Sequence, residues 1–209
     1  MTNAFIRSVA ATILVGAASL GLSGLAHAEM YGDPDGMAGW TVTQSYNNCA
    51  IMAAADVIGQ MTGTEPSEDE IDEFAKHTPS VSEPGNMIYR QGDPDTDPDV
   101  GTAFADLPIV LAHYGVDAKY VDGASLHAVE EALGDGKAVI VTVNSEMIWD
   151  ADGDRTSSDH AVVVTGVDTD AGIVHLNDSG PDDGADEQVS LDLFTAAWQT
   201  GGNEMVVTT

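Results

Sequence analysis

Several things are scarce in this chain, and each scarcity narrows what it does. There is one cysteine, Cys49, so no internal disulfide forms. A lone thiol is a partner for another chain, a buried inert group or a reactive nucleophile. Basic residues are few: 6 Lys+Arg stand against 35 Asp+Glu, for a formal net charge of −29. A surface this acidic repels polyphosphates and anionic lipid, which argues against nucleic acid or a membrane surface as partner. No pair of histidines has zinc-ligand spacing and no second thiolate is available, so no metal site is expected. The stretch Asp150 to Asp159 resembles a calcium loop in part. It fails the EF-hand pattern, with Arg155 where glycine is needed and Ala161 where the closing glutamate is needed. There are no internal repeats, and no cofactor is expected.

The only apolar run of membrane length comes first. Arg7 supplies a positive start, Val9 to Leu25 is small and apolar, and Ala26-His27-Ala28 has the form of a signal-peptidase site. Residues 1–28 therefore read as a signal peptide cleaved near Ala28, and the protein as secreted, a monomer free of the membrane afterwards. Residues 29–39 read as an N-terminal arm or linker, and residues 40–209 as one domain, long enough for a real core.

Within that domain the cysteine stands where a helix begins. Asn47-Asn48 precede it, and Ala50 to Met61 is a run of small and apolar residues ending at Gly63. Unpaired N–H groups and the positive dipole end of a helix stabilise a thiolate there. Gln44, five residues upstream, has the reach to return to the same spot. Ser67 with Glu70 forms a capping box opening a second helix. Prolines at 79, 84, 94 and 98 break regular structure from His77 to Gly101. Thr102 is expected to cap a third helix ending at Gly115, and Ser125 a fourth ending at Gly134. The second half changes character. Ala138 to Asn144, His160 to Val167 and Ile173 to Asn177 read as strands, with a helix over Asp192 to Thr200 and a last strand over Met205 to Thr208. Helices first and an antiparallel sheet after give an α+β fold.

Three residues on these elements carry chemistry. Cys49 opens a helix, His160 opens a strand, and Asp178 follows the next strand. A thiol needs a base, and the base needs an orienting partner. The turn near Asp170 folds the two strands into a hairpin, which makes His160 a neighbour of Asn177-Asp178. Each residue also has an ordinary reading: a core histidine, a β-turn aspartate, a surface glutamine. Trp149, on the loop leading into His160, lines the substrate cleft or caps the core. The histidines at 77, 113, 127 and 175 read as surface or packing residues.

At these residues the chain resembles the papain-like cysteine peptidases, in the branch related to bacterial peptidases that process double-glycine leader peptides. The matching motifs are QSYNNCAIMAA, DHAVVVTGVD and HLNDSG, and the resemblance spans roughly residues 40–207. It implies a papain-like α+β fold, the nucleophile on a helical half and the His and Asp on a sheet. It implies that Cys49 is the nucleophile, His160 the base and then the acid, and Asp178 the orienting group, with Asn177 as the alternative third member. It also implies that the Gln44 side chain and the Cys49 backbone N–H form the oxyanion hole, and that the substrate is a peptide or protein. The family often has glycine where Ala50 stands, and its glutamine is commonly six residues upstream. A cell-wall amidase and an inactive secreted binding module share the same residue order and stay open as alternatives.

Overall fold

The computed structural model describes residues 30–93, 96–97 and 100–209. The stretch read as a signal peptide lies outside the described residues.

The chain opens with a short strand, β1 (Met30–Gly32), which pairs antiparallel with residues 166–168. Residues 30–32 of the segment expected to be an arm or linker are thus part of the main sheet. Gly32 makes this possible: its φ is +91°, and a Cβ there would meet the Thr165 carbonyl oxygen at 2.2 Å. A one-turn helix follows, α1 (Pro34–Met37), capped by the Asp33 carboxylate.

The cysteine helix is α2 (Cys49–Thr62), closed by Gly63 in the left-handed region. Ten of its residues, Ala50 to Gly59, are buried, which explains a sequence with almost no polar face. The amphipathic α3 (Glu68–His77) packs Ile71 and Ala75 against it, with Ser67 accepting from the Glu70 N–H. Among its described residues the proline-rich stretch yields two-residue strands, β2 (Tyr89–Arg90) and β3 (Gly101–Thr102), paired with each other. Thr102 is therefore a ladder residue opposite Tyr89, not the expected cap. The next helix, α4 (Leu107–His113), starts later, with Pro108 in its first turn.

Beyond it come β4 (Ala118–Val121), α5 (Leu126–Gly134) capped by Ser125, β5 (Val139–Val143) and a single turn α6 (Ser145–Ile148). The sheet is completed by β6 (His160–Asp168), β7 (Ile173–Asn177), β8 (Glu187–Ser190) and β9 (Met205–Thr208), with α7 (Leu191–Gln199) before the last. The strand order is β4-β9-β5-β6-β7-β8, and every pairing is antiparallel.

Alternation along the strands gives the sheet two buried faces. Ile140, Ala161, Val163 and Val206 meet α2, α3 and α4. Val139, Val141, Val162, Val164 and Val207 meet α5 and α7, where Phe194 and Trp198 fill the core. Each such side chain contributes about 1.5–3 kcal/mol by burial, so both helical layers are held firmly to the sheet. Burial on both faces is why β6 reads as a continuous apolar run rather than an alternating one. The fold is α+β, as expected. Its helices cover both faces of the sheet, and the first half of the chain supplies the layer that bears Cys49.

Candidate active site

Cys49 stands at the first position of α2, half-buried, and points at the first residue of β6. Burial of Met52, Ala53 and Ala55 locks the helix onto the sheet and so fixes where the sulfur projects. Asn48 occupies the cap position but its side chain does not cap. Its Nδ2 donates instead to Glu68 Oε1 at 2.9 Å and Asp72 Oδ1 at 3.0 Å. These charge-assisted bonds turn the side chain toward α3, and its Oδ1, the atom that would cap, is left buried without a partner. The first N–H groups of α2, including that of Cys49, stay available to an anion.

His160 is buried, and its Nε2 lies 2.6 Å from Asp178 Oδ1. That leaves Nδ1 for the Cys49 side chain, which hydrogen-bonds to the imidazole. Burial opposes protonation of His160, but the Cys49 sulfur and the Asp178 carboxylate reverse it, pushing the imidazole up to about 10. Asp178 is fully buried. Burial works against its charge, yet bonds from His160, the Gly180 N–H at 2.7 Å and Trp149 Nε1 at 3.0 Å hold its carboxyl below the ordinary value. Close by, burial and the Asp178 charge push Glu187 up to about 7.

β6 and β7 form the expected hairpin, in a register that does not set His160 directly opposite Asn177. Asn177 pairs with Val163, and a bulge lies between Val164 and Gly166. The two side chains meet on a diagonal. Past Asn177 the chain leaves the ladder, with the Asp178 N–H donating to the Gly184 carbonyl at 2.8 Å, and this departure turns the carboxylate toward His160.

The other candidates fall around this pair. Asn177, the alternative third member, faces away. Its Nδ2 donates to Asp56 Oδ2 at 2.7 Å and to the Met37 carbonyl at 2.9 Å. It fastens α2 to the sheet and satisfies a buried carboxylate that burial pushes up to about 6. Gln44 is tied to the Asp178 loop: its backbone N–H donates to the Ser179 carbonyl at 2.8 Å, and its Oε1 accepts from Ser179 Oγ at 2.9 Å. Its amide nitrogen gives one proton to the Tyr46 carbonyl at 2.8 Å, leaving the second free. Trp149, read as lining the cleft or capping the core, lies over the His–Asp pair. Its ring centre is 5.0 Å from that of His160, and Gly180 lies against the indole where a Cβ would collide. Of the remaining histidines, His113 stacks on Phe74 at 3.8 Å and His175 pairs with Asp186 at 2.6 Å, both as packing groups.

A cleft of about 650 Å³ opens beside the sulfur and the imidazole. Ala50, Phe104, Thr142, Asp159 and Glu204 contribute to its walls. Sequence reasoning missed Glu204, which reaches this wall only because β9 inserts between β4 and β5. No local pattern carries that information.

A helix-borne thiol, a strand-borne imidazole and a buried carboxylate thus meet on an antiparallel sheet. The Peptidase_C39-like family profile matches residues 37–206, which takes in every one of these groups. The chain belongs to that family. Uncharacterised proteins of Mycobacterium tuberculosis and Mycobacterium bovis are 47% identical to this C39-like chain over 216 residues, covering 94% of it and 93% of their own length. The crystal structure of a Bacillus anthracis protein assigned as a C39-like peptidase superposes with a TM-score of 0.63 at 16% identity. It covers 87% of this chain and 98% of that one, and confirms the papain-like fold.

Proposed function

We propose that the protein is an exported cysteine peptidase that hydrolyses peptide bonds through Cys49, His160 and Asp178. The observation that carries this reading is the imidazole held between the sulfur and a buried carboxylate, on the papain-like fold of a peptidase family. The Cys49 thiolate attacks the carbonyl carbon of the scissile bond, and the carbonyl oxygen takes up negative charge. The His160 imidazolium gives its proton to the leaving amine as the C–N bond breaks, leaving a thioester. A water molecule, deprotonated by His160, then attacks the thioester, releases the acid and restores the thiolate. Asp178 holds the ring for both transfers, and Trp149 keeps water from the His–Asp bond.

The Cys49 N–H and the free proton of the Gln44 amide are the donors for the oxyanion. Losing one such donor typically costs about 10²–10³ in kcat, and Gln44→Ala is expected to fall in that range with KM little changed. Equal kcat in the variant and the parent removes Gln44 from the oxyanion hole.

A mixed peptide library at neutral pH tests the activity. New termini appear by mass spectrometry and stop appearing once Cys49 is alkylated with iodoacetamide. Intact peptides throughout, or cleavage that survives alkylation, contradicts the proposal.

A further inference from the structure

Resting on the peptidase reading, we infer that the cleft beside Cys49 selects a substrate with a basic side chain, and that Glu204 is the residue that selects it. The cleft is large enough for a long side chain and is continuous with the sulfur and the imidazole. No Lys or Arg is among its lining residues, and two carboxylates are. Those two are not equivalent. Asp159 is exposed, so solvent screens its charge, and it braces the chain itself: Oδ1 accepts from the Ser145 N–H at 2.8 Å and Oδ2 from Ser145 Oγ at 2.8 Å. That pairing fixes the start of α6 and the approach to His160.

Glu204 is different. It is positioned and half-buried, so its charge is less screened by solvent. Trp198 Nε1 donates to its backbone carbonyl at 2.8 Å, which pins the residue between α7 and β9. Tyr120 Oη donates to Oε1 at 2.6 Å, and Thr142 Oγ1 approaches Oε2 at 3.5 Å. No cation pairs with it among the described residues. A carboxylate offers about four lone-pair sites, so neutral donors on two of them leave acceptors and a full charge facing the cleft. The carboxylate has lost rotamer freedom in advance, which lowers the cost of binding an ammonium or guanidinium there. The apolar stem of Lys or Arg has Ala50, Phe104 and Val100 to lie against.

The test uses the full mature protein and fluorogenic peptides that differ only in Arg, norleucine or Glu, placed in turn at each position flanking the scissile bond. At one position the parent is expected to favour Arg over norleucine in kcat/KM by roughly tenfold or more, between the worth of an exposed ion pair and a buried one. That ratio shrinks as salt rises. Glu204→Gln keeps an acceptor for Tyr120 and brings the ratio near one; Glu204→Lys turns the preference toward Glu. A parent ratio near one at every position overturns the inference, as does an unchanged ratio in Glu204→Gln. If cleavage in either case still stops on alkylation of Cys49, the peptidase reading survives and only the selectivity is lost. If no peptide is cleaved, both are lost.

Discussion

Cys49→Ala yields a folded protein with peptide hydrolysis reduced by about 10⁴-fold or more, because removing the nucleophile of a cooperating set costs nearly as much as removing the whole set. Folding is spared for a local reason. Cys49 is half-buried at the rim of the helical core, and the burial that holds α2 in place comes from Ala50 through Gly59. Alanine keeps the helix start, and no hydrogen bond from the sulfur other than that to His160 is needed for packing. The comparison is kcat/KM on one fluorogenic peptide, with thermal melts of both proteins alongside. Comparable hydrolysis by parent and variant excludes Cys49 as the nucleophile.

Asp178→Asn is expected to show the second large effect, a loss of about 10²–10⁴ in kcat, as when the carboxylate of an acid–imidazole pair is replaced by its amide. The geometry gives the reason. Oδ1 accepts from both His160 Nε2 and the Gly180 N–H, and Oδ2 accepts from Trp149 Nε1. An amide has one oxygen. Whichever way it turns, either His160 or Trp149 meets an N–H in place of an acceptor. One orphaned buried donor costs about 1–3 kcal/mol of stability. A purely structural role for Asp178 predicts that loss alone. An orienting role adds a fall in kcat at unchanged KM; a lower pKa for Glu187 accompanies the lost charge in either case. Wild-type kcat in a destabilised Asp178→Asn protein contradicts the orienting role.

Local chemistry made much of this site legible. The alanine run and Gly63 bounded α2, Ser67 and Ser125 capped the helices they were read to cap, and the turn near Asp170 folded β6 onto β7. That hairpin is what brings Asp178 to His160, and it depends only on neighbouring residues. What escaped was long-range or competitive. Asn48 sits where a cap belongs, but Glu68 and Asp72, some twenty residues on, claim its amide. Asn177 reaches Asp56 across 121 residues, and no pattern near either residue announces the bond. Thr102 resembled a cap, yet β2 drew it into a ladder. Met30–Gly32 looked like linker because its neighbours are acidic and turn-rich; its strand exists only because β6 offers Gly166 through Asp168.

The pairing of sulfur and imidazole also sets a pH window. His160 is raised above the ordinary histidine value, so its contribution to stability is full below about 6.5 and is lost as pH rises through about 10. Asp178 is lowered, so its contribution is present above the ordinary aspartate value and is lost as pH falls. Imidazole nitrogen chemical shifts of His160, followed by NMR from pH 5 to pH 11 in the parent and in Cys49→Ala, test the account most directly. An imidazolium that persists through neutrality and releases its proton near 10, with the midpoint falling once the sulfur is removed, is the predicted result. A ring that titrates near 6.5 in both proteins contradicts it.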